Sequence, residues 1–436
     1  MKKLHPLLQQ YVDHVSGQVK ARELREDIKE EIAGHLEGLM EHKLAQGLDD
    51  DAAAQWAIAQ MGSTESVAKG LNQVHRPRIP WGMLSYLILL LAVALVSMYA
   101  IDLSYAAISS SMAEISFLEK QAVFMAIGLV VLFVLSRLQY RLLLHMWKVL
   151  YGGTIVCLIV GIYSGSRLNG THSFFNLGPL SVNFLEVSLF TFIVSAAGFL
   201  YQRNESWKAV FYHLVMFSAV PLILYTSAHS FATVLQYVIS YLLLLIFSRC
   251  SLKWMIPHML FSICALIFFS FSEYGRERLA AFLFPFKDQE GTGFFYIQIG
   301  EAVRSAGWWG HGFASVAGKL PYIYSNNVFT YIIYSLGWLA GAAILLIVIM
   351  FIYQLIRVAL SVQDSYGKML IIGLGALFSF KFTYSIGMSL GLLPLTSVML
   401  PFISYGGIGL LVQLAALGII YSVYRRKDMV RVERNY

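Results

Sequence analysis

The chain has 436 residues, 58% hydrophobic and only 13% charged, with a mean hydropathy of +0.64. So little charge cannot cover a soluble domain, which excludes the soluble classes. The formal net charge of +7 is read as Lys and Arg in cytoplasmic loops, which set membrane orientation, and no nucleic-acid partner is expected.

Residues 1–75 stand apart. They hold about half of the acidic residues and no long apolar run, and the start "MKKLHPLLQQYVDHV" lacks the continuous apolar core of a signal peptide. "ARELREDIKEEIAGHLEGLMEHKLAQG" predicts an amphipathic helix, with Leu24, Ile28, Ile32, Leu36 and Leu39 at helical spacing and Gly47 as a stop. "DDDAAAQWAIAQMG" opens with acidic residues suited to a helix N-terminus, and "STESVAKGLNQV" is a further short helix. His35 and His42 share a helix face, but no further ligands converge, so they are read as solvated. The prefix is expected to be a small cytoplasmic helical domain, joined by a stiff basic linker, residues 76–80, to the membrane part.

Residues 81–425 read as a polytopic, all-α membrane domain. Trp81 to Leu103 has one charge in more than the roughly 20 residues that cross a bilayer. About ten spans follow by hydropathy, starting near Trp81, Gln121, Leu142, Phe184, Ala209, Ser230, Lys253, Asn327, Gly367 and Phe402. With the prefix inside, the cytoplasmic loops hold Arg137, Arg141, Arg203, Lys208, Arg249, Lys253, Arg357 and Lys368, and the tail, residues 426–436, is basic. Both termini are therefore expected in the cytoplasm. Cys157, Cys250 and Cys264 lie in or beside spans at no metal spacing and are read as packing residues without disulfides.

Residues 272–325 form one long segment on the outer side. It is too apolar and aromatic for disorder and is expected to pack on the outer face of the bundle. Ionisable residues in or near spans are functional candidates by default: Asp102, Glu186 and Glu301, with Lys120, Arg276, Arg278, Arg304 and Lys319 near the outer face. Arg and Lys there suit a pyrophosphate, and interfacial snorkelling is the competing explanation for each.

"LGLLPLTSVMLPFISYGGIGLL", Leu390 to Leu411, resembles the C-terminal signature of the SEDS family (shape, elongation, division and sporulation; the FtsW, RodA and SpoVE type). "RLAAFLFPFKDQEGTGFFYIQ", "SAGWWGHG" and "NGTHSFFNLGPLSVNFLE" are similar to further family stretches, in the family's order, over about residues 85–425. The prefix is similar, more weakly, to small helical domains ahead of some bacterial permeases. The resemblance implies a multi-pass protein of the bacterial cell membrane, acting in division, shape or sporulation. It also implies lipid II, the undecaprenyl-linked precursor, as substrate for glycan-strand polymerisation, and a class B penicillin-binding protein as partner. It weights Glu186, through the Pro-Ser-Glu pattern, and Ser404, Tyr405, Gly406 and Gly407 as substrate-binding residues, beside Arg276, Arg278, Arg304 and Lys319.

The chain departs from the family pattern at polar positions. Lined up from Leu320 and Pro321, Asn326 falls where the family has an Asp considered essential for polymerisation, and no acidic residue lies between Lys319 and Thr330. Joining two sugars needs a base to take a hydroxyl proton, and an amide has no basic lone pair near neutral pH. Loss of such a base removes about 10²- to 10⁴-fold in rate. An amide also holds a divalent cation at the pyrophosphate more weakly than a carboxylate. Ser230 stands where another Asp is expected, Leu189 at the lysine of Pro-Ser-Glu-x-x-Lys, and Ile408 and Gly409 where serines follow Tyr-Gly-Gly. Three readings stay open: a polymerase whose base is Glu301 or Asp288, a non-catalytic relative that binds lipid II or regulates, and a transporter of lipid-linked precursors. Whether the chain is an enzyme is left open by these residues.

Overall fold

The computed structural model describes residues 4–20, 25–74, 77–108, 111–168, 171–177, 180–203, 206–248, 250–318 and 320–428. Leu24, Arg249 and Lys319 lie outside them. Two compact units emerge: Met1–Ile79 together with Arg425–Tyr436, and Pro80–Tyr424.

The first unit contains α1 (Pro6–Gln18), α2 (Arg25–Leu44), α3 (Asp50–Met61) and α4 (Thr64–Val74). Its core is built from Leu8, Val12 and Val15 of α1, Ile28, Ile32 and Leu36 of α2, Ala54 and Ala57 of α3, and Ala68 of α4. Burying these apolar stripes is what makes short helices stable. Gly47 and Gly62 take φ of +88° and +89° at the turns after α2 and α3, a region open to glycine. Asn72 clasps α4 to the end of α1: its Nδ2 donates to Gln18 O at 3.0 Å, and its Oδ1 accepts from Lys20 N at 2.8 Å. Arg78 and Asp428 pair at 2.9 Å within this unit. His35 and His42 are exposed, and among the described residues no group of His, Cys, Asp or Glu could hold a metal.

The second unit is a helical bundle: α5 (Trp81–Ala107), α6 (Phe117–Arg137), α7 (Leu142–Ser164), α8 (Phe184–Tyr201), α9 (Trp207–Leu214) continued through a π turn into α10 (Val220–Ser227), α11 (Phe231–Phe247), α12 (Leu252–Phe271), α13 (Glu273–Leu283), α14 (Phe294–Ser305), α15 (Val328–Ser361), α16 (Ser365–Ser389) and α17 (Ile408–Arg425). Among the described residues nine helices are long and apolar enough to cross a membrane; α11, at 17 residues, is a shorter apolar helix. The chain is a multi-pass membrane protein. The expected start at Phe402 moves to Ile408, because Phe402 and Gly407 have positive φ and the intervening stretch forms a turn.

Three findings refine the sequence reading. A small antiparallel sheet, β1 (Ser166–Leu168), β2 (Thr171–Leu177) and β3 (Leu180–Asn183), joins α7 to α8, with Phe175 opposite Val182. The long segment 272–325 carries α13 and α14 rather than a continuous loop. Cys157 and Cys264 are exposed rather than packed inside.

Side chains answer freed backbone groups at two places. The π turn, Val215–Ala219, has its Met216 and Phe217 carbonyls accepting from Tyr151 at 2.7 Å and Tyr237 at 2.6 Å. Asp102 accepts from Phe117 N at 2.9 Å and Leu118 N at 3.0 Å, so this intramembrane acid caps α6.

Candidate functional site

Helix α15 is broken at Gly337, whose φ of 83° and ψ of 177° are open to glycine almost alone. The segment 307–312, "GWWGHG", fills the break. His311 N and Gly312 N donate to Tyr334 O and Ser335 O at 3.0 and 2.9 Å, while Trp338 N donates to Gly307 O at 3.1 Å. A Cβ on Gly337 would collide with the Trp308 carbonyl, and one on Gly310 with that of Ser335. The glycines of this motif therefore let two backbones interlock, and the first turns of α15 become a separate half-helix.

Asn326 and Asn327 sit at the N-terminus of that half-helix and line a cavity of about 300 Å³. Ser230, Thr396, Ser397 and Arg278 add polar groups; Phe231, Phe295, Met388 and Leu395 make an apolar wall. Arg278 is the one charged lining residue among the described residues, and its Nη1 approaches Leu395 O at 3.5 Å. Asn327 is buried and its Nδ2 donates to Pro321 O at 2.8 Å. Among the described residues, the Oδ1 atoms of Asn326 and Asn327 are buried with no hydrogen-bond partner. Tyr322, on the same wall, has a φ of +49°, a strained backbone for a bulky residue.

The "PFISYGG" turn holds this segment rather than lining the cavity. Ser404 Oγ donates to Ser325 O at 2.6 Å and accepts from Leu400 N at 3.0 Å. Tyr405 N donates to Tyr324 O at 2.8 Å, and Phe117 stacks on Tyr324 with ring centroids 4.5 Å apart. Gly407 takes the positive φ, and Gly406 precedes it in the turn. Ser404 and Tyr405 thus fix the backbone beside Asn326, and Ser404, Tyr405, Gly406 and Gly407 are not among the residues that line this cavity.

A second, smaller cavity of about 40 Å³ shares Ser230, Ala232 and Ser397 with the first. Glu186 and Lys381 line it and form a buried ion pair, and Gln413 Nε2 donates to Glu186 Oε1 at 3.0 Å. Gln413 Oε1 in turn accepts from Phe402 N at 2.9 Å. Ser230 is itself buried, with its Oγ 2.6 Å from Thr233 Oγ1.

The candidate bases lie elsewhere. Glu301 is exposed and lines a separate cavity with Gln298, Ser305 and Tyr334. Asp288 is exposed and bonds its own turn, through Thr292 N at 2.8 Å and Gly291 N at 3.1 Å. The Thr292 amide and hydroxyl, with the Gly291 amide, hold its carboxyl below the usual carboxylate range, which makes it a weak base. Arg276 and Arg304 are exposed and outside the cavity lining. Lys381 is the residue that sequence reasoning passes over, although a lone charge in "FSFKFTYS" is itself a signal.

The comparisons agree with this architecture. The family described as cell cycle proteins, of the FtsW, RodA and SpoVE type, matches residues 81–429. Stage V sporulation protein E of Bacillus subtilis is 27% identical over 326 residues, covering 71% of this chain and 87% of that protein. A probable peptidoglycan glycosyltransferase FtsW of Trichlorobacter lovleyi is 28% identical over 371 residues, covering 79% and 95%. Among solved structures, a chain of a peptidoglycan synthase complex aligns with a TM-score of 0.67 at 21% identity, covering 80% of this chain and 98% of that one. RodA of Thermus thermophilus aligns with a TM-score of 0.60 at 19% identity, covering 80% and 97%. The likenesses to solved structures show the fold, and the family match over most of the length shows the membership: the chain belongs to the FtsW, RodA and SpoVE family.

Proposed function

We propose that this chain works in bacterial peptidoglycan synthesis, engaging lipid II in the Asn326 cavity for glycan-strand polymerisation. The observation that carries the proposal is the cavity itself: apolar on one wall, lined by one guanidinium and two side-chain amides, at the mouth of a broken helix. A guanidinium suits a phosphate oxygen, an apolar wall suits an isoprenoid, and amide oxygens suit sugar hydroxyls. The names of relatives, peptidoglycan glycosyltransferases among them, support the same reading. In this reading the protein lies in the bacterial cell membrane with the cavity outward and both termini cytoplasmic, and a class B penicillin-binding protein cross-links the product.

A second reading is favoured by one observation. No carboxylate lines the cavity among the described residues, and Asn326 cannot take a proton. The chain would then bind lipid II and regulate synthesis without polymerising it. The lining offers neutral oxygens beside a guanidinium, a poor fit to a divalent cation, which prefers charged carboxylates. Strand formation from lipid II by the purified full chain with its penicillin-binding partner separates the two readings: product supports the first, and retained lipid II binding without product supports the second.

A further inference from the structure

Glu186 is surrounded differently from what the family pattern implies. Leu189, one turn along α8, stands at the pattern's lysine and is buried. Gly409 stands at a pattern serine, and a Cβ there would lie 2.6 Å from Glu186 Oε2. The carboxylate instead receives Lys381 from α16 and Gln413 from α17. The cation has moved from the helix that carries Glu186 to another helix.

Stability alone does not require this arrangement. A buried ion pair is often replaced by apolar residues at no loss, because desolvation offsets its Coulomb gain. Lys381 is 4% exposed, yet it lines the small cavity, which shares Ser230, Ala232 and Ser397 with the cavity of Asn326. Its ammonium carries three N–H groups, and Glu186 is its one hydrogen-bond acceptor among the described residues. Unused donors on a cation beside a polar cavity are chemistry for an anion. With Arg278 on the larger cavity, the two adjacent cavities carry two cations against one carboxylate.

We propose that Lys381 is a substrate-binding residue: from α16 its ammonium receives a phosphate oxygen of the lipid-linked substrate, with Glu186 as the positioning residue that holds it. The assignment rests on the reading that this cavity takes such a substrate.

The test is binding of a long-chain isoprenyl pyrophosphate, against the corresponding alcohol, by the full chain in nanodiscs. Wild type binds the pyrophosphate in preference to the alcohol. The neutral pair E186Q/K381M folds with most of the wild-type stability yet binds the pyrophosphate about tenfold or more weakly, since a charge-assisted contact is lost. The relocated cation, L189K/K381Q, restores wild-type affinity. A folded neutral pair that binds as tightly as wild type makes the ion pair purely structural and overturns the assignment, as does a folded L189K/K381Q that fails to bind. Wild type that binds neither ligand overturns the reading of the cavity itself, and the assignment with it.

Discussion

Lys381 on α16 and Glu186 on α8 meet inside the bundle across 195 positions of sequence, and both are buried. Removing either alone leaves the other charge buried without its partner. K381M and E186Q should each lose about 3–5 kcal/mol, and E186Q/K381M should recover most of it. Thermal unfolding in detergent checks this; single variants as stable as the double would contradict it.

Gly337 holds the break in α15 that places Asn326 and Asn327. G337A should lower the melting temperature and the yield of folded protein, since a side chain there is strained by about 1–3 kcal/mol and meets the Trp308 carbonyl. G318A is the control, because a Cβ there meets nothing within 4 Å. Equal melting temperatures for the two variants would mean that the interlock with "GWWGHG" is dispensable.

Asp288 gives a pH prediction with a definite sign. Thr292 and Gly291 depress its folded-state pKa. The stabilisation of that turn is therefore complete above the unfolded-state value of about 3.9 and lost as pH falls through the folded value. Near neutral pH, D288N should leave lipid II binding and any strand synthesis unchanged while weakening hydrogen-exchange protection at the Gly291 and Thr292 amides. A large fall in synthesis with protection intact would restore Asp288 as a base.

The prefix is a unit with its own core around Val12, Ile32 and Ala57. Deleting residues 1–75 should leave membrane insertion and lipid II binding intact. Fractionation of the deletion variant checks it; loss from the membrane fraction would count against an independent domain.

Much of this was legible in the residues, and what was not has physical reasons. Apolar runs beginning at Trp81, Leu142 and Phe184 start helices at those positions, because length and hydropathy alone determine a span. The start near Phe402 fails, since hydropathy does not register the turn that Gly407 requires. The family resemblance, lined up from Leu320 and Pro321, singles out Asn326, and the structure has it lining a cavity. Lys381 could not be given its partner, because pairing across 195 positions is tertiary. The same holds for the buried contact of His213 with His258 at 3.2 Å, between helices read only as apolar. The glycines of "GWWGHG" were visible, but their use, filling a break in another helix, needed the backbone.

The most direct measurement is lipid II polymerisation by the full chain with its penicillin-binding partner, wild type beside N326D. If the cavity is where the sugars join and Asn326 occupies the position of the base, N326D forms glycan strands about 10²- to 10⁴-fold faster than wild type. An N326D protein that folds, binds lipid II and forms strands no faster than wild type would contradict that placement of the chemistry.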